Sequence, residues 1–368
     1  MKHEPLDLTR LRVLPLSQRA SLAGIAETLI DPDSIPMPCS DANVALIGRA
    51  AADIRAARAR GATVMLIYGA HLIKNGAHRI LDRMMEGGWI THLATNGAGI
   101  IHDWEWAHHG RSTESVRDNV ASGTFGTWDE TGRCIHLALL AGALLPEGFG
   151  GSLGRFVVED GVTLPTPAEL EDALRAEPSH PLSPARAELL VALRRYCLQP
   201  GRLPVAHPWK ATCVLARAFA YNIPYTVHPG IGYDIISNHP MFNGAVLGRA
   251  ATLDFQLFGA AVERLDEGVV LSVGSAIMGP QVFEKSLSCV NNLRLQDGRP
   301  IVAGHSIHVV DLQDGGQWDW SRGEPPRDNP AYYLRFCKSY ARMGGAMHYA
   351  QCDNVTYLHR LLHALSSK

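Results

Sequence analysis

Several things are scarce in this 368-residue chain, and each scarcity removes a class of function. The seven cysteines, Cys39, Cys134, Cys197, Cys213, Cys289, Cys337 and Cys352, contain no CxxC pair and are odd in number. They therefore read as reduced thiols rather than a disulfide framework or a zinc knuckle. No uncharged apolar run reaches the roughly 18 residues a membrane helix needs, and MKHEPLDLTRLR at the start has no apolar signal core. A cytoplasmic protein is expected. Charge of one sign is also lacking: the formal net charge is -2 and the pI about 6.8. With no basic field to hold nucleic acid or an anionic membrane, a small molecule is the expected partner. Internal repeats, a complete GxGxxG and an HExxH are missing too.

What is present is glycine, 35 residues, and a strand-helix alternation. Residues 1–41 are punctuated by proline and read as an N-terminal arm of the kind that packs on a neighbouring subunit. Residues 42–368 read as one domain. Within it, the helix Ala45–Ala59 precedes TVMLIY (Thr63–Tyr68), a continuous apolar run typical of a strand covered on both faces. A helix over Ile73–Glu86, a second strand within Trp89–Asn96 and later strands at Ile223–His228, Gly268–Val273 and His305–Leu312 alternate with helices. A short strand near Gly345–Ala350 and a helix from Asp353 close the chain. The pattern predicts an α/β, Rossmann-like, doubly wound and mostly parallel sheet with helices on both faces. Residues 148–208 break the alternation. There GFGGSLGRFVVEDG reads as a loop, while Thr166 with Glu169 forms a capping box and Ser183-Pro184 opens a helix, so a helical insertion is expected.

Chemistry is expected at strand ends, where small residues admit a pyrophosphate and a helix N-terminus favours its charge. Four ends qualify: Gly69-Ala70-His71, Thr95-Asn96-Gly97-Ala98-Gly99, His228 to Asp234, and Val273-Gly274-Ser275. Asp234 would bind ribose hydroxyls. The strand-helix junction at Asn96 leads to His102 and Asp103, which serve either as an acid-base pair or as ordinary hydrogen-bonding groups. The 17 histidines form no recognisable ligand spacing, so no metal is expected. Lys338, in RFCKSYAR, is either a buried nucleophilic amine or a helix lysine with its head in water.

The order of these motifs resembles the deoxyhypusine synthase family. GAHLIKNG (Gly69–Gly76), ITHLATNGAGIIHDWE (Ile90–Glu105), NIPYTVHPGIGYD (Asn222–Asp234), VVLSVGSA (Val269–Ala276) and YAQCDNVTYLHRLL (Tyr349–Leu362) are similar to its elements in order. The resemblance implies a tetrameric NAD enzyme that oxidises a polyamine and transfers an aminobutyl group through a lysine imine. It assigns NAD binding to Ala70, His71, Thr95, Asn96, Ala98, Gly99, Asp234, Gly274 and Ser275. Of the candidate catalytic residues His102, Asp103 and Lys338, it matches only Asp103 directly and makes Lys338 the nearest equivalent of the family's nucleophile. The chain departs from the family where chemistry is done. Ile101-His102 stands in place of a glutamate pair, Met278–Gln281 in place of the histidine motif, and Phe336-Cys337-Lys338 in place of the nucleophile motif. The function expected is NAD-dependent oxidation of an amine or polyamine, with a non-redox hydrolase or lyase using His102 and Asp103 as the alternative.

Overall fold

The structure is a computed structural model that describes residues 3–367. It divides into two compact units. One comprises the chain up to Glu27, Ile101–Phe219 and Pro229–Asp254; the other comprises Thr28–Ile100, Ala220–His228 and everything from Phe255 on.

The second unit holds the sheet. Its strands are β1 (Val64–Tyr68), β2 (His92–Asn96), β3 (Tyr225–His228), β4 (Val269–Val273), β5 (Ser306–Asp311) and β6 (Ala346–Gln351). All neighbours pair in parallel, in the order 3-2-1-4-5-6. This is the doubly wound order of dinucleotide-binding folds, in which the direction of winding reverses between β1 and β4. The fold is thus α/β and Rossmann-like. Every residue of β1 and β4 is buried, as the apolar run of β1 and the VVLSV of β4, broken only by Ser272, require when helices cover both faces. On one face Met65, Ile67, Ala94, Val270, Ile307 and Met347 pack with Phe258, Phe283 and Tyr340 from the covering helices. On the other lies the helix Asp41–Ala59, which presents Ile47, Ala50, Ala51, Ile54 and Ala57. It starts four residues before the expected Ala45, because Ser40 accepts from the Asn43 N–H at 3.2 Å and caps it there. The closing helix, Asn354–Ser366, is capped by Asp353.

The first unit is largely helical. It takes in more than the expected insertion at 148–208, with helices at Val116–Ser122, Asp129–Gly142, Phe149–Val158, Pro167–Ala176, Ser183–Arg195 and Val214–Ala220. The capping box of Thr166 and Glu169 is present. Of GFGGSLGRFVVEDG, Phe149–Val158 is a helix rather than a loop. Its apolar residues Phe149, Leu153, Phe156 and Val157 share one buried face, and its glycines serve close packing: a Cβ on Gly154 would stand 3.1 Å from both the Leu215 carbonyl and the Phe219 Cβ. Asp254 completes the helix start by accepting the Gly150 N–H at 3.0 Å. Among the described residues no helix is long and apolar enough to cross a membrane.

Candidate functional site

The carboxyl ends of β1 and β4 meet at the reversal of winding. Gly69 donates its N–H to the Val273 carbonyl at 3.2 Å, and a Cβ on Gly69 would collide with the carbonyl oxygen of Gly274. Gly274 has φ +60 and lies against the Asn354 amide. Gly69 must therefore be glycine for backbone to approach backbone, and Gly274 must be for its positive φ and for the Asn354 side chain that fills the Cβ position. Next to them Ser275 accepts the Gly279 N–H at 3.0 Å, which fixes the start of the helix Met278–Gln296. Ala70 and His71 open the short helix Ala70–Lys74, with His71 exposed.

At the end of β2 the chain passes directly into the helix Gly97–His109, with no intervening loop. The turn expected at Asn96–Gly99 is the first turn of that helix. Asn96 accepts the Gly99 N–H at 2.9 Å, and Thr95 donates to the Tyr68 carbonyl at 2.9 Å. A Cβ on Gly99 would strike the Thr95 hydroxyl, so this glycine is explained by packing on the strand beneath it. Ala98 is half-buried on the same turn. Thus Ala70, His71, Thr95, Asn96, Ala98, Gly99, Gly274 and Ser275 all belong to the sheet unit and to strand ends.

Asp234, His102 and Asp103 belong to the helical unit. Asp234 accepts the Gly230 N–H at 2.7 Å and returns its own N–H to the Gly230 carbonyl, closing its loop. Asp103 accepts from the Val214 N–H at 3.0 Å, the Leu215 N–H at 2.8 Å and the Cys213 thiol at 3.4 Å. It therefore caps the helix Val214–Ala220. Burial pushes its pKa up to about 6, against the opposing pull of those donors.

His102 is differently placed. Its Nδ1 lies 2.7 Å from the Ser112 hydroxyl, which donates to Glu105 at 2.7 Å. The serine proton is committed to the carboxylate, so Nδ1 must donate and Nε2 is the acceptor nitrogen of the ring. Glu105 is the hub of this group. It receives both guanidinium arms of Arg19, at 2.6 and 2.9 Å, and the Thr131 hydroxyl at 2.9 Å. Burial raises its pKa, but Arg19 and the hydroxyls outweigh burial and leave it lowered. The site residues named from sequence omit Arg19, Ser112 and Thr131, and they omit the central role of Glu105. Only the acid between two tryptophans, Trp104-Glu105-Trp106, hinted at it.

Lys338 sits on the helix Arg335–Ala341 with its Nζ 3.6 Å from the centre of the Tyr332 ring, a cation-π contact made by a half-buried side chain. Among the described residues no group of three or more His, Cys, Asp or Glu is placed to hold a metal ion. A cavity of about 510 Å³ is lined by Asp33, Arg83, Glu86, Trp89 and His363. Trp89 precedes β2, so this cavity lies at the amino ends of the strands, away from their carboxyl ends.

No family model and no curated protein matches the sequence. Solved structures similar to it include ArgZ, an arginine dihydrolase from the ornithine-ammonia cycle in cyanobacteria, at 14% identity and TM-score 0.39, covering 87% of this chain and 32% of that one. The ternary complex of AgrE with ornithine and NAD+ matches at 13% identity and TM-score 0.44, covering 89% of this chain and 34% of that one. A conserved LOR/SDH protein from Methanococcus maripaludis S2 matches at 14% identity and TM-score 0.41, covering 96% and 76%. The chain spans about a third of the length of the first two. The resemblance to deoxyhypusine synthase is overturned, since these neighbours are arginine dihydrolase, AgrE and LOR/SDH proteins. Its motifs were strand ends, and glycine-rich strand ends recur in any Rossmann-like sheet because close backbone approach demands them.

Proposed function

We propose that this protein is an NAD-dependent enzyme acting on a small amine or amino acid. The observation that carries the reading is the all-parallel 3-2-1-4-5-6 order, whose reversal lies between Gly69 and Gly274. Dinucleotides bind at such a reversal, outside the carboxyl ends of the strands. The residues fit the group: Ala70, His71, Ala98 and Ser275 are small or polar, and none closes the crevice with a large apolar side chain. Thr95, Asn96, Gly99 and Gly274 shape that edge through their packing. Asp234 is kept in the proposal as a nucleotide-binding residue; one of its carboxylate oxygens also accepts the Gly230 N–H of its own loop.

When bound, NAD supplies an acceptor for hydride. The protein's part in amine oxidation is to remove the amine proton, and His102 is assigned that role because Ser112 and Glu105 hold its ring with Nε2 as acceptor. Asp103 acts by positioning, through the helix it caps. Lys338 is left as a candidate nucleophile for aminoalkyl transfer, against which its seat on Tyr332 weighs. The same His102 relay would serve a non-redox hydrolase or lyase, so the test must read redox turnover. A homo-oligomer belongs to the proposal and is read by sedimentation; the N-terminal segment does not by itself argue for one, because Leu14, Arg19 and Ile25 bind it to its own chain.

The test is titration calorimetry with NAD+, followed by the growth of NADH absorbance with a panel of amines and amino acids. Binding with substrate-dependent NADH is the result expected. No binding of NAD+ at millimolar concentration overturns the reading. His102→Ala is expected to slow oxidation by roughly 100- to 10000-fold while sparing NAD+ affinity.

A further inference from the structure

A hydroxyl held between two buried histidines lies on the edge of the sheet. Thr226, in the middle of β3, has three neighbours around one oxygen: His92 Nε2 at 3.0 Å, His228 Nε2 at 3.2 Å and the Leu93 carbonyl at 3.3 Å. Both imidazoles also stand edge-on to Phe258, at 5.5 and 5.3 Å between ring centres. A hydroxyl has one proton and two lone pairs. The carbonyl can only accept, so the hydroxyl proton goes there. Both histidines must then donate from Nε2, the one arrangement that supplies a hydrogen to all three contacts.

This accounting fixes the tautomer of His228 and leaves its Nδ1 as a bare lone pair. Nδ1 has no hydrogen-bond partner among the described residues. The two histidines differ in access. Nδ1 of His92 is sealed inside, whereas His228, the last residue of β3, keeps 9 % of its surface. Burial lowers the pKa of His228 to about 4, so the ring is a neutral acceptor at physiological pH.

His228 also stands beside a strand end that lacks the usual carboxylate. In dinucleotide-binding sheets a carboxylate about 20 residues beyond the phosphate turn takes the proton of the ribose 2′-hydroxyl. Here the end of β2 is Thr95-Asn96, with no carboxylate, and the Asn96 oxygen already accepts the Gly99 N–H. Asp234 is turned to Gly230 in its own loop. In the ladder His228 is the partner of Asn96, so the two side chains lie side by side on one face of the sheet.

We propose that His228 is the ribose acceptor of this protein: its Nδ1 receives a hydrogen bond from the 2′-hydroxyl of a bound adenine dinucleotide and makes the site select NAD over NADP. A 2′-hydroxyl brings the proton that a neutral lone pair needs. A 2′-phosphate brings negative charge and little or no proton at neutral pH, and the uncharged ring offers no counter-ion. The inference rests on the nucleotide-binding reading above.

The experiment is calorimetric titration of wild type and two variants with NAD+, NADP+ and 2′-deoxy-NAD+. In His228→Gln the terminal amide keeps a donor for Thr226 and removes the Nδ1 acceptor. In His228→Asn the amide oxygen stands near the Nδ1 position. Wild type is expected to bind NAD+ roughly 3- to 10-fold more tightly than 2′-deoxy-NAD+, the worth of one net hydrogen bond, and NADP+ more weakly than NAD+. His228→Gln should lose that discrimination and His228→Asn should recover part of it, with unfolding midpoints confirming that both variants fold. An unchanged preference in His228→Gln overturns the role of His228 while leaving nucleotide binding intact. Failure of wild type to bind NAD+ overturns both. Long-range ¹H–¹⁵N spectra give a second readout that needs no ligand: a proton on Nδ1 of His228 refutes the tautomer and with it the proposal.

Discussion

Arg19 and Glu105 face each other with both guanidinium arms on both carboxylate oxygens, and each side chain is 1% exposed. They are 86 residues apart in sequence, so this contact ties the N-terminal segment to the helix Gly97–His109. Removing one partner of a buried pair strands the other's charge, at a cost of about 3 to 5 kcal/mol. Arg19→Ala is therefore expected to lower the urea midpoint sharply, and Arg19→Ala with Glu105→Gln to recover part of the loss. Glu105 has a lowered pKa in the folded state, so its stabilisation is present above the unfolded value near 4.3 and is lost as pH falls through the folded value. Unfolding curves at stepped pH should show that loss in wild type and not in the double variant.

Asp103 carries the opposite sign. Its folded pKa, raised to about 6 by burial, means that the folded protein holds a proton the unfolded chain releases near 3.9. Stability from this group is therefore present at low pH and falls as pH rises from about 4 to 6, by about 3 kcal/mol in all. Asp103→Asn should abolish that slope while keeping one cap hydrogen bond. A pH profile of unfolding free energy unchanged by the substitution would show that the carboxylate is not the titrating group.

Gly99 and Thr95 should behave as one unit. Gly99→Ala forces a methyl into the Thr95 hydroxyl and is expected to cost about 1 to 3 kcal/mol, as overpacking does. Thr95→Ala should relieve most of that penalty, giving a coupling energy well beyond the few tenths expected of independent sites. Simple additivity in chemical denaturation would contradict the contact.

Thr226→Val keeps the shape of the side chain and removes the oxygen that two buried imidazoles require. Each loses its acceptor inside the protein, and a loss of about 1 to 3 kcal/mol per stranded group is expected. Thr226→Ser, which keeps the hydroxyl, should lose less. Equal midpoints for Val and Ser would refute the shared hydroxyl.

Cysteine reactivity should follow burial. Cys197 and Cys289 are exposed and should react with a thiol reagent in the native protein. Cys134, pushed up to about 12 by burial, and Cys213, raised well above its usual value by burial and by Asp103, should react only on unfolding. Mass mapping after brief labelling reads the order directly.

The sequence by itself determined the elements whose signals are local. TVMLIY announces a strand covered on both faces, and Thr166 with Glu169 announces a helix start, because burial pattern and capping act over a few residues. The alternation of such elements is enough to specify a parallel sheet. Phe149–Val158 escaped because its glycines looked like turn residues, when they are small to let Leu215 and Phe219 close in from another helix. Only the tertiary structure decided what each polar residue does. Asp103 and Glu105 are two positions apart, yet one caps a helix start at Val214 and Leu215 while the other pairs with Arg19. Likewise Asn96 and His228 become neighbours only when β2 and β3 pair. Hydrogen bonds and ion pairs act over about 3 Å of space and ignore distance along the chain, so no spacing in the sequence carries them.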